Sequence, residues 1–372
     1  MIKKFLEDNK KQIFDDLILS VEADSPTNNK ELADNCAKVL CGIVENRLGV
    51  TPQVFKQENC GDHMLFKLNE GASKRVLFVG HYDTVWDKGS LEIKYDGNKL
   101  YGPGVYDMKS GLISAIWAAK ALAEAGELSV ELNLLFNSDE EVGSPTSKPI
   151  IADIAKGTHA TLIGEPSEAV TGKLKTARKG SAFYTVNIIG KAAHAGNDHK
   201  GGINAIEEMA RQVQYLHTLT DYEVGTTLSV GTCVGGTKTN VVPPDASFTV
   251  DVRYLKMSEA TRINELIHAI KPSLSGASVT IDGSIGMPPL EATEQNKLLY
   301  TKAVEAGNAV GIKIDECIAG GASDGNAVSA MGIPTIDGLG AVGEGLHAHN
   351  EHIYTDMYID RIALLAELVK RL

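Results

Sequence analysis

Short apolar runs that stop abruptly at polar tips alternate with longer segments of helical character along much of the chain. Arg75 to Gly80 reads as a buried strand that ends at His81-Tyr82-Asp83. Gly111 to Ala125 is a long, mostly apolar helix former. Leu132 to Phe136 is a second buried strand, running into Asp139-Glu140-Glu141, and Thr161 to Ile163 a third, running into Gly164-Glu165-Pro166. Ile333 to Ile336 reads as a short strand and Asp356 to Leu372 as an amphipathic helix; the first residues, MIKKFLEDNKKQIF, read as another. Strands alternating with helices predict an α/β domain with a mainly parallel sheet covered on both faces. Ligands of such sheets sit beyond the C-terminal strand ends, where all three acidic or histidine-bearing tips fall.

The middle of the chain has another rhythm. Phe183 to Ile189 alternates like a half-exposed strand, Asn204 to Leu216 is helical, and Thr226 to Cys233 and Ser247 to Leu255 are strands. Ser258 to Ile270 is helical and Ser278 to Ile281 a strand. The order β-α-β-β-α-β is ferredoxin-like. The expected organisation is an α/β domain of residues 1–179 and 287–372 with an α+β domain inserted at 180–286.

Composition narrows the function classes. The 372 residues are 43% hydrophobic and 23% charged, an ordinary globular mixture. A net charge of -12 disfavours nucleic acid and anionic membrane surfaces as partners. Five cysteines without a CxxC pair predict neither a disulfide framework nor a cysteine-based zinc site. The N-terminal stretch lacks the apolar core of a signal peptide, and no apolar run is long enough to span a bilayer. A cytoplasmic enzyme is the expectation.

The candidate chemistry lies in His81, Asp107, Glu141, Glu165 and His347, each expected in a loop after a strand or helix. Imidazole and carboxylate are the zinc ligands to expect where no thiolate is at hand. Five such groups suffice for two metals, one carboxylate bridging. Each alone has an ordinary alternative: His81 as a surface histidine, Asp139 to Glu141 as a solvated acidic turn, Glu165 as a loop carboxylate. The turn GPGVYD (102–107) only superficially resembles a dinucleotide loop, since Pro103 and Asp107 spoil the glycine pattern. His347, His349 and His352 form a weak metal tract.

Taken together, the motifs are recognisable. GHYDTVW (80–86), YGPGVYDMKSG (101–111), LLFNSDEEVGS (134–144), IGEPS (163–167), GKAAHAG (190–196), TNVVPPDASFTVDVRY (239–254), GGASDG (320–325) and GLHAHNEHI (345–353) stand in order. They resemble the dizinc aminoacyl exopeptidase and deacylase family, which includes glutamate carboxypeptidase, succinyl-diaminopimelate desuccinylase, acetylornithine deacetylase and aminoacylase. The match runs from about residue 75 to the end; the first 70 residues carry little of it. The resemblance implies two zinc ions, with cobalt or manganese as alternatives, held by His81, Asp107, Glu141, Glu165 and His347, with Asp107 as the bridge. It implies that Asp83 orients His81 and that Glu140 is the general base and acid. His347 is preferred to His349 because the family pattern places an acid four residues after the ligand, which Glu351 satisfies. His194 matches the family histidine that reaches the neighbouring subunit's active site, which makes the inserted domain a lid and a homodimer interface.

The resemblance is greatest to the glutamate carboxypeptidase branch, where Lys173, Asn240 and Arg253 would engage the substrate's carboxylates and backbone. An arginine suits this because its planar fork pairs bidentately with a carboxylate. The implied substrate is a small peptide or N-acyl amino acid cut beside a C-terminal carboxylate. A dipeptidase or N-acyl-amino-acid deacylase would share every metal ligand. A non-catalytic scaffold is disfavoured because it would have no need of Glu140, and a nicotinamide enzyme by the spoiled glycine turn.

Overall fold

The alternation inside the buried strands decides how the layers form. In the computed structural model, which describes residues 1–372, Arg75–His81 sends Val76 and Phe78 to one face of a sheet and Leu77 and Val79 to the other. The first face joins Phe66, Leu134, Phe136 and Leu162 in the main core, under the helices Ser110–Ala125 and Tyr358–Lys370. The second meets Leu135, Ile151, Ile163 and Val328, under the helices Ser147–Ala155 and Asp324–Ala330. Both faces are therefore covered, which is why these strands read as continuous apolar runs.

The six-stranded sheet runs Gln53–Phe55, His63–Leu68, Glu131–Asn137, Arg75–His81, Ala160–Ile163, Thr335–Ile336. The last four strands are mutually parallel, and the first two pair antiparallel at one edge. The sheet is thus mixed. The two antiparallel strands carry no alternating pattern: His63–Leu68 is buried at every position but Lys67. The N-terminal amphipathic stretch forms two helices, Ile2–Asp8 and Lys10–Glu22. They break at Asn9, whose Nδ2 donates back to the Phe5 carbonyl at 2.8 Å. The helix Ser110–Ala125 stops at Gly126, whose φ of 65° suits a left-handed cap.

The chain divides into two compact units. The first comprises Met1–Ala177, Ala292–Ile318 and Ser323–Leu372, and holds the sheet just described. The second comprises Arg178–Glu291 with Ala319–Ala322. Its sheet has the order Thr227–Gly235, Asp245–Tyr254, Gly180–Ile189, Ser278–Met287, with every pair antiparallel. Alternation along Gly180–Ile189 buries Ala182, Tyr184, Val186 and Ile188 together with residues of the helices Ala205–His217 and Met257–His268. Phe183 and Ile189 project from the opposite face and are exposed.

Candidate metal centre

Three neighbouring parallel strands end at the site. His81 is the last residue of its strand, Glu140 and Glu141 follow Glu131–Asn137, and Glu165 follows Ala160–Ile163. Asp107 arrives on the tight turn Val105–Lys109 just ahead of the long helix. That turn starts at Gly104, whose φ of 69° is left-handed. The helix start and the Glu165 loop are in close contact: a Cβ on Gly111 would lie 2.0 Å from the Gly164 carbonyl oxygen.

The five expected ligands converge in two groups that share one carboxylate. His81, Asp107 and Glu165 form one group of donor atoms, and Asp107, Glu141 and His347 the other, each within 4.8 Å. Asp107 presents Oδ1 to His81 Nε2 at 3.2 Å and Oδ2 to His347 Nε2 at 3.2 Å. Glu165 Oε1 is 3.4 Å from His81 Nε2, and Glu141 Oε2 is 3.1 Å from His347 Nε2. His347 itself has a φ of 55°, a strained setting for a non-glycine residue. His349 instead faces the Trp86 ring, with centroids 5.4 Å apart.

The donor set fits a pair of divalent cations. His81 Nε2, Asp107 Oδ1 and Glu141 Oε1 are buried without a hydrogen-bond partner, which is rare for polar atoms inside a protein. Oxygen and nitrogen donors without a thiolate suit zinc and its neighbours. The electrostatics agree. Burial, then the charges of Glu165, Asp324 and Asp107, raises the Glu140 carboxyl well above its ordinary value. Burial likewise raises Glu141. Burial disfavours a charged His81, yet the carboxylates of Asp107, Asp83 and Glu165 outweigh it and hold a proton there. His347 is pushed up to about 10 by Asp107 and Glu141. So much negative charge collected around two imidazoles calls for cations.

Around the ligands lies a shell of which the sequence disclosed only part. Asp83 was expected to orient His81 through the ring's other nitrogen. Nδ1 lies 2.9 Å from the Asp83 main-chain carbonyl and 3.4 Å from Oδ1, so the backbone makes the closer contact. The Asp83 carboxylate also accepts the N–H groups of Glu140 and Glu141, each at 3.3 Å, and the Thr27 hydroxyl at 2.8 Å. Thr27 lies in the N-terminal segment, where no motif pointed to the site. Glu351 is buried, and its carboxylate takes N–H groups from Trp86, Gly104, Tyr106 and Asp107. Asp324 accepts from Asn137 and Ser144, and burial moves it up to about 6. Its only sequence signal was its place in GGASDG.

The expected substrate residues are divided between the two units. Lys173, in the first unit, pairs with Glu168 at 3.3 Å, both about a third exposed. His194, Asn240 and Arg253 belong to the second unit. Arg253 is held by Asp251 at 2.7 and 2.8 Å and lies over the Phe183 ring. Asn240 is exposed, and its carbonyl accepts the Ala195 N–H at 3.0 Å. The exposed His194 receives the N–H groups of Gly196 and Asn197 on Nδ1, at 3.1 and 3.0 Å. Nδ1 is therefore an acceptor, and Nε2 carries the proton.

Comparison with known proteins now decides the family. The model of peptidase family M20/M25/M40 matches residues 77–371. The chain belongs to this family. Among its members, carboxypeptidase G2 of Pseudomonas sp. (strain RS-16) is 32% identical over 320 residues, 83% of this chain and 76% of that protein. Succinyl-diaminopimelate desuccinylase of Roseobacter denitrificans is 27% identical over 323 residues, 81% of this chain and 84% of its own. The fold matches that of aminopeptidase PepT from Bacillus cereus, with a TM-score of 0.84 at 22% identity, covering 97% of this chain and 98% of that one. As an M20/M25/M40 member the protein is an enzyme, a hydrolase of the metallopeptidase and amidohydrolase type. No helix is long and apolar enough to cross a membrane.

Proposed function

We propose that the protein is a dizinc exopeptidase that cleaves an amide or peptide bond beside a C-terminal amino-acid carboxylate, in the manner of a glutamate carboxypeptidase. The observation that carries this reading is the placement of Asp107, with one oxygen toward His81 and the other toward His347. His81, Asp107 and Glu165 would hold one ion, and Asp107, Glu141 and His347 the other. When bound, such a pair supplies Lewis acidity and lowers the pKa of water toward neutrality.

The chain's own residues then do the following. Glu140, with Oε2 4.0 Å from His81 Nε2, takes a proton from the attacking water and delivers it to the departing amine. Its raised pKa suits a group that must both accept and return a proton near neutral pH. Asp83 holds the Glu140 and Glu141 backbone in place. His194, with its proton on Nε2, is the donor for the developing oxyanion, supplied by the partner subunit of a homodimer that associates through the second unit, which also serves as a lid. Arg253, Asn240 and Lys173 engage the substrate's carboxylate and backbone. The enzyme acts in the cytoplasm on small peptides or N-acyl amino acids.

A second reading, an N-acyl-amino-acid deacylase or dipeptidase, is supported by the similarity to a desuccinylase and to acetylornithine deacetylases. One experiment separates them: metal analysis of the purified protein, then hydrolysis of a panel of N-acyl and peptidyl amino acids with and without chelator. Metal-dependent turnover that favours peptidyl over simple N-acyl amino acids and needs a free α-carboxylate in the leaving residue supports the carboxypeptidase. Preference for acyl groups whatever the leaving amine supports the deacylase.

A further inference from the structure

A second set of donor atoms, of different chemistry from the dimetal cradle, converges behind the loop that carries Glu140. Cys60 and His63 sit in a C-x-x-H arrangement at the entrance to the His63–Leu68 strand. That strand pairs with Glu131–Asn137, Met64 opposite Phe136, so its start lies beside the residues just before Asp139. Cys60 Sγ, a ring nitrogen of His63 and a carboxylate oxygen of Asp139 lie within 4.8 Å of one another. The exposures of the three residues are 7%, 0% and 1%. Strand pairing thus assembles what the absence of a CxxC pair argued against.

Hydrogen bonding leaves this cluster incomplete. The Thr146 hydroxyl donates to Asp139 Oδ2 at 2.7 Å and lies 2.8 Å from His63 Nε2 and 3.5 Å from Cys60 Sγ. With its single proton committed to Asp139, Thr146 can only accept from Nε2, which leaves a bare lone pair on Nδ1. His63 Nδ1 and Asp139 Oδ1 have no hydrogen-bond partner. His63 and Asp139 therefore each keep one buried polar atom without a hydrogen bond, although Asp139 Oδ2 also accepts the Thr146 and Ser147 N–H groups. Burial, outweighing the nearby carboxylates, lowers the His63 pKa, so the ring is the neutral form that binds metals. Lys30, reaching this turn from the start of the helix Lys30–Leu48, spends its amine on the Cys60 carbonyl, Asp34 and Asp62.

We propose that Cys60, His63 and Asp139 form a structural site for a thiophilic divalent cation of the zinc type, separate from the dimetal cradle. One thiolate and one carboxylate neutralise such an ion, and thiolate, imidazole and carboxylate are its usual ligands. The ion would tie the turn before His63 to the segment preceding Glu140 and Glu141. This assignment does not rest on the dizinc reading, because none of its ligands is shared with the cradle.

Cobalt(II) loading of the full-length protein in thiol-free buffer tests it. The cradle offers only nitrogen and oxygen, so a thiolate-to-cobalt charge-transfer absorption in the near ultraviolet reports cobalt on a cysteine and not in the cradle, and its loss in Cys60→Ser assigns it to Cys60 among the five free cysteines. The expected result is such a band, with about one equivalent of metal more in wild type than in the variants. Cys60→Ser, and independently His63→Gln, should abolish the band and remove that one equivalent, whatever the cradle retains. A wild-type protein with no charge-transfer band overturns the proposal whether or not the variants fold. A band that persists in folded Cys60→Ser protein, or a metal content equal to that of wild type, overturns it as well.

Discussion

Glu351 and Asp107 are joined through a peptide group: Glu351 Oε1 accepts the Asp107 N–H at 3.0 Å and the Tyr106 N–H at 2.9 Å. Its other oxygen takes the Trp86 indole at 2.5 Å and the Gly104 N–H at 3.2 Å. A single buried carboxylate therefore sets the turn that aims Asp107. Burial moves the carboxyl up to about 7, against the pull of the N–H groups it accepts.

The first prediction follows from that contact. Glu351→Gln puts an amide nitrogen where the native group accepts only, so one side of the turn loses its partner. Metal affinity should weaken by about 10–100-fold, the usual penalty for losing a contact that orients a ligand. Chelator competition on folded protein measures this. Unchanged affinity would mean that the turn holds Asp107 without Glu351.

Glu140→Gln separates base from ligand. Glu140 lies beside the groups expected to hold metal but is not counted among them, whereas the adjacent Glu141 is. The variant should retain its metal and lose at least ~10²-fold in kcat, since only proton transfer is removed. Metal analysis together with steady-state kinetics checks both halves, and near-normal turnover would remove Glu140 from the mechanism.

The parallel strands could be read because both faces are buried and each run ends in chemistry, so periodicity and ligand type pointed to the same tips. The strand His63–Leu68 could not, since a short buried run with a single exposed lysine has no period to recognise. Thr27 and Cys60 were hidden for a related reason. A hydroxyl in a turn and a lone cysteine acquire meaning only from what tertiary pairing brings beside them. Glu351 was noticed through its spacing from His347, yet its carboxylate serves the Asp107 turn, a relation that sequence distance does not encode.

A stability prediction concerns Asp62. Its buried carboxylate meets Lys30 Nζ at 2.9 Å, Lys56 Nζ at 2.6 Å and the Gln57 N–H at 2.9 Å. Burial works against the charge, but these partners outweigh it and hold the carboxyl at about 2. A depressed carboxyl contributes stability above its unfolded pKa, near ~4, and loses it as pH falls through the folded value. Because Lys56 is largely exposed, the net contribution at neutral pH is roughly 1–2 kcal/mol. Asp62→Asn should therefore be less stable than wild type by that amount in urea titrations at pH 7. The gap should narrow as pH drops below about 4. A gap constant across that range would show that the substitution acts through packing instead.

The last prediction concerns His194, which belongs to the second unit while every proposed metal ligand belongs to the first. Its Nδ1 is occupied by the N–H groups of Gly196 and Asn197, so the exposed Nε2–H is a fixed donor. A donor that acts on the developing oxyanion stabilises the transition state more than the bound substrate. His194→Ala should accordingly lower kcat by about 10²-fold or more while raising KM much less. If the histidine comes from the partner subunit, two inactive proteins can complement each other. Mixing His194→Ala with Glu140→Gln under subunit exchange creates heterodimers in which one site has both an intact base and an intact partner histidine. Activity should return in part, approaching one working site per heterodimer. No recovery, with exchange demonstrated by mass-tagged subunits, would place His194 in the service of its own chain or outside catalysis altogether.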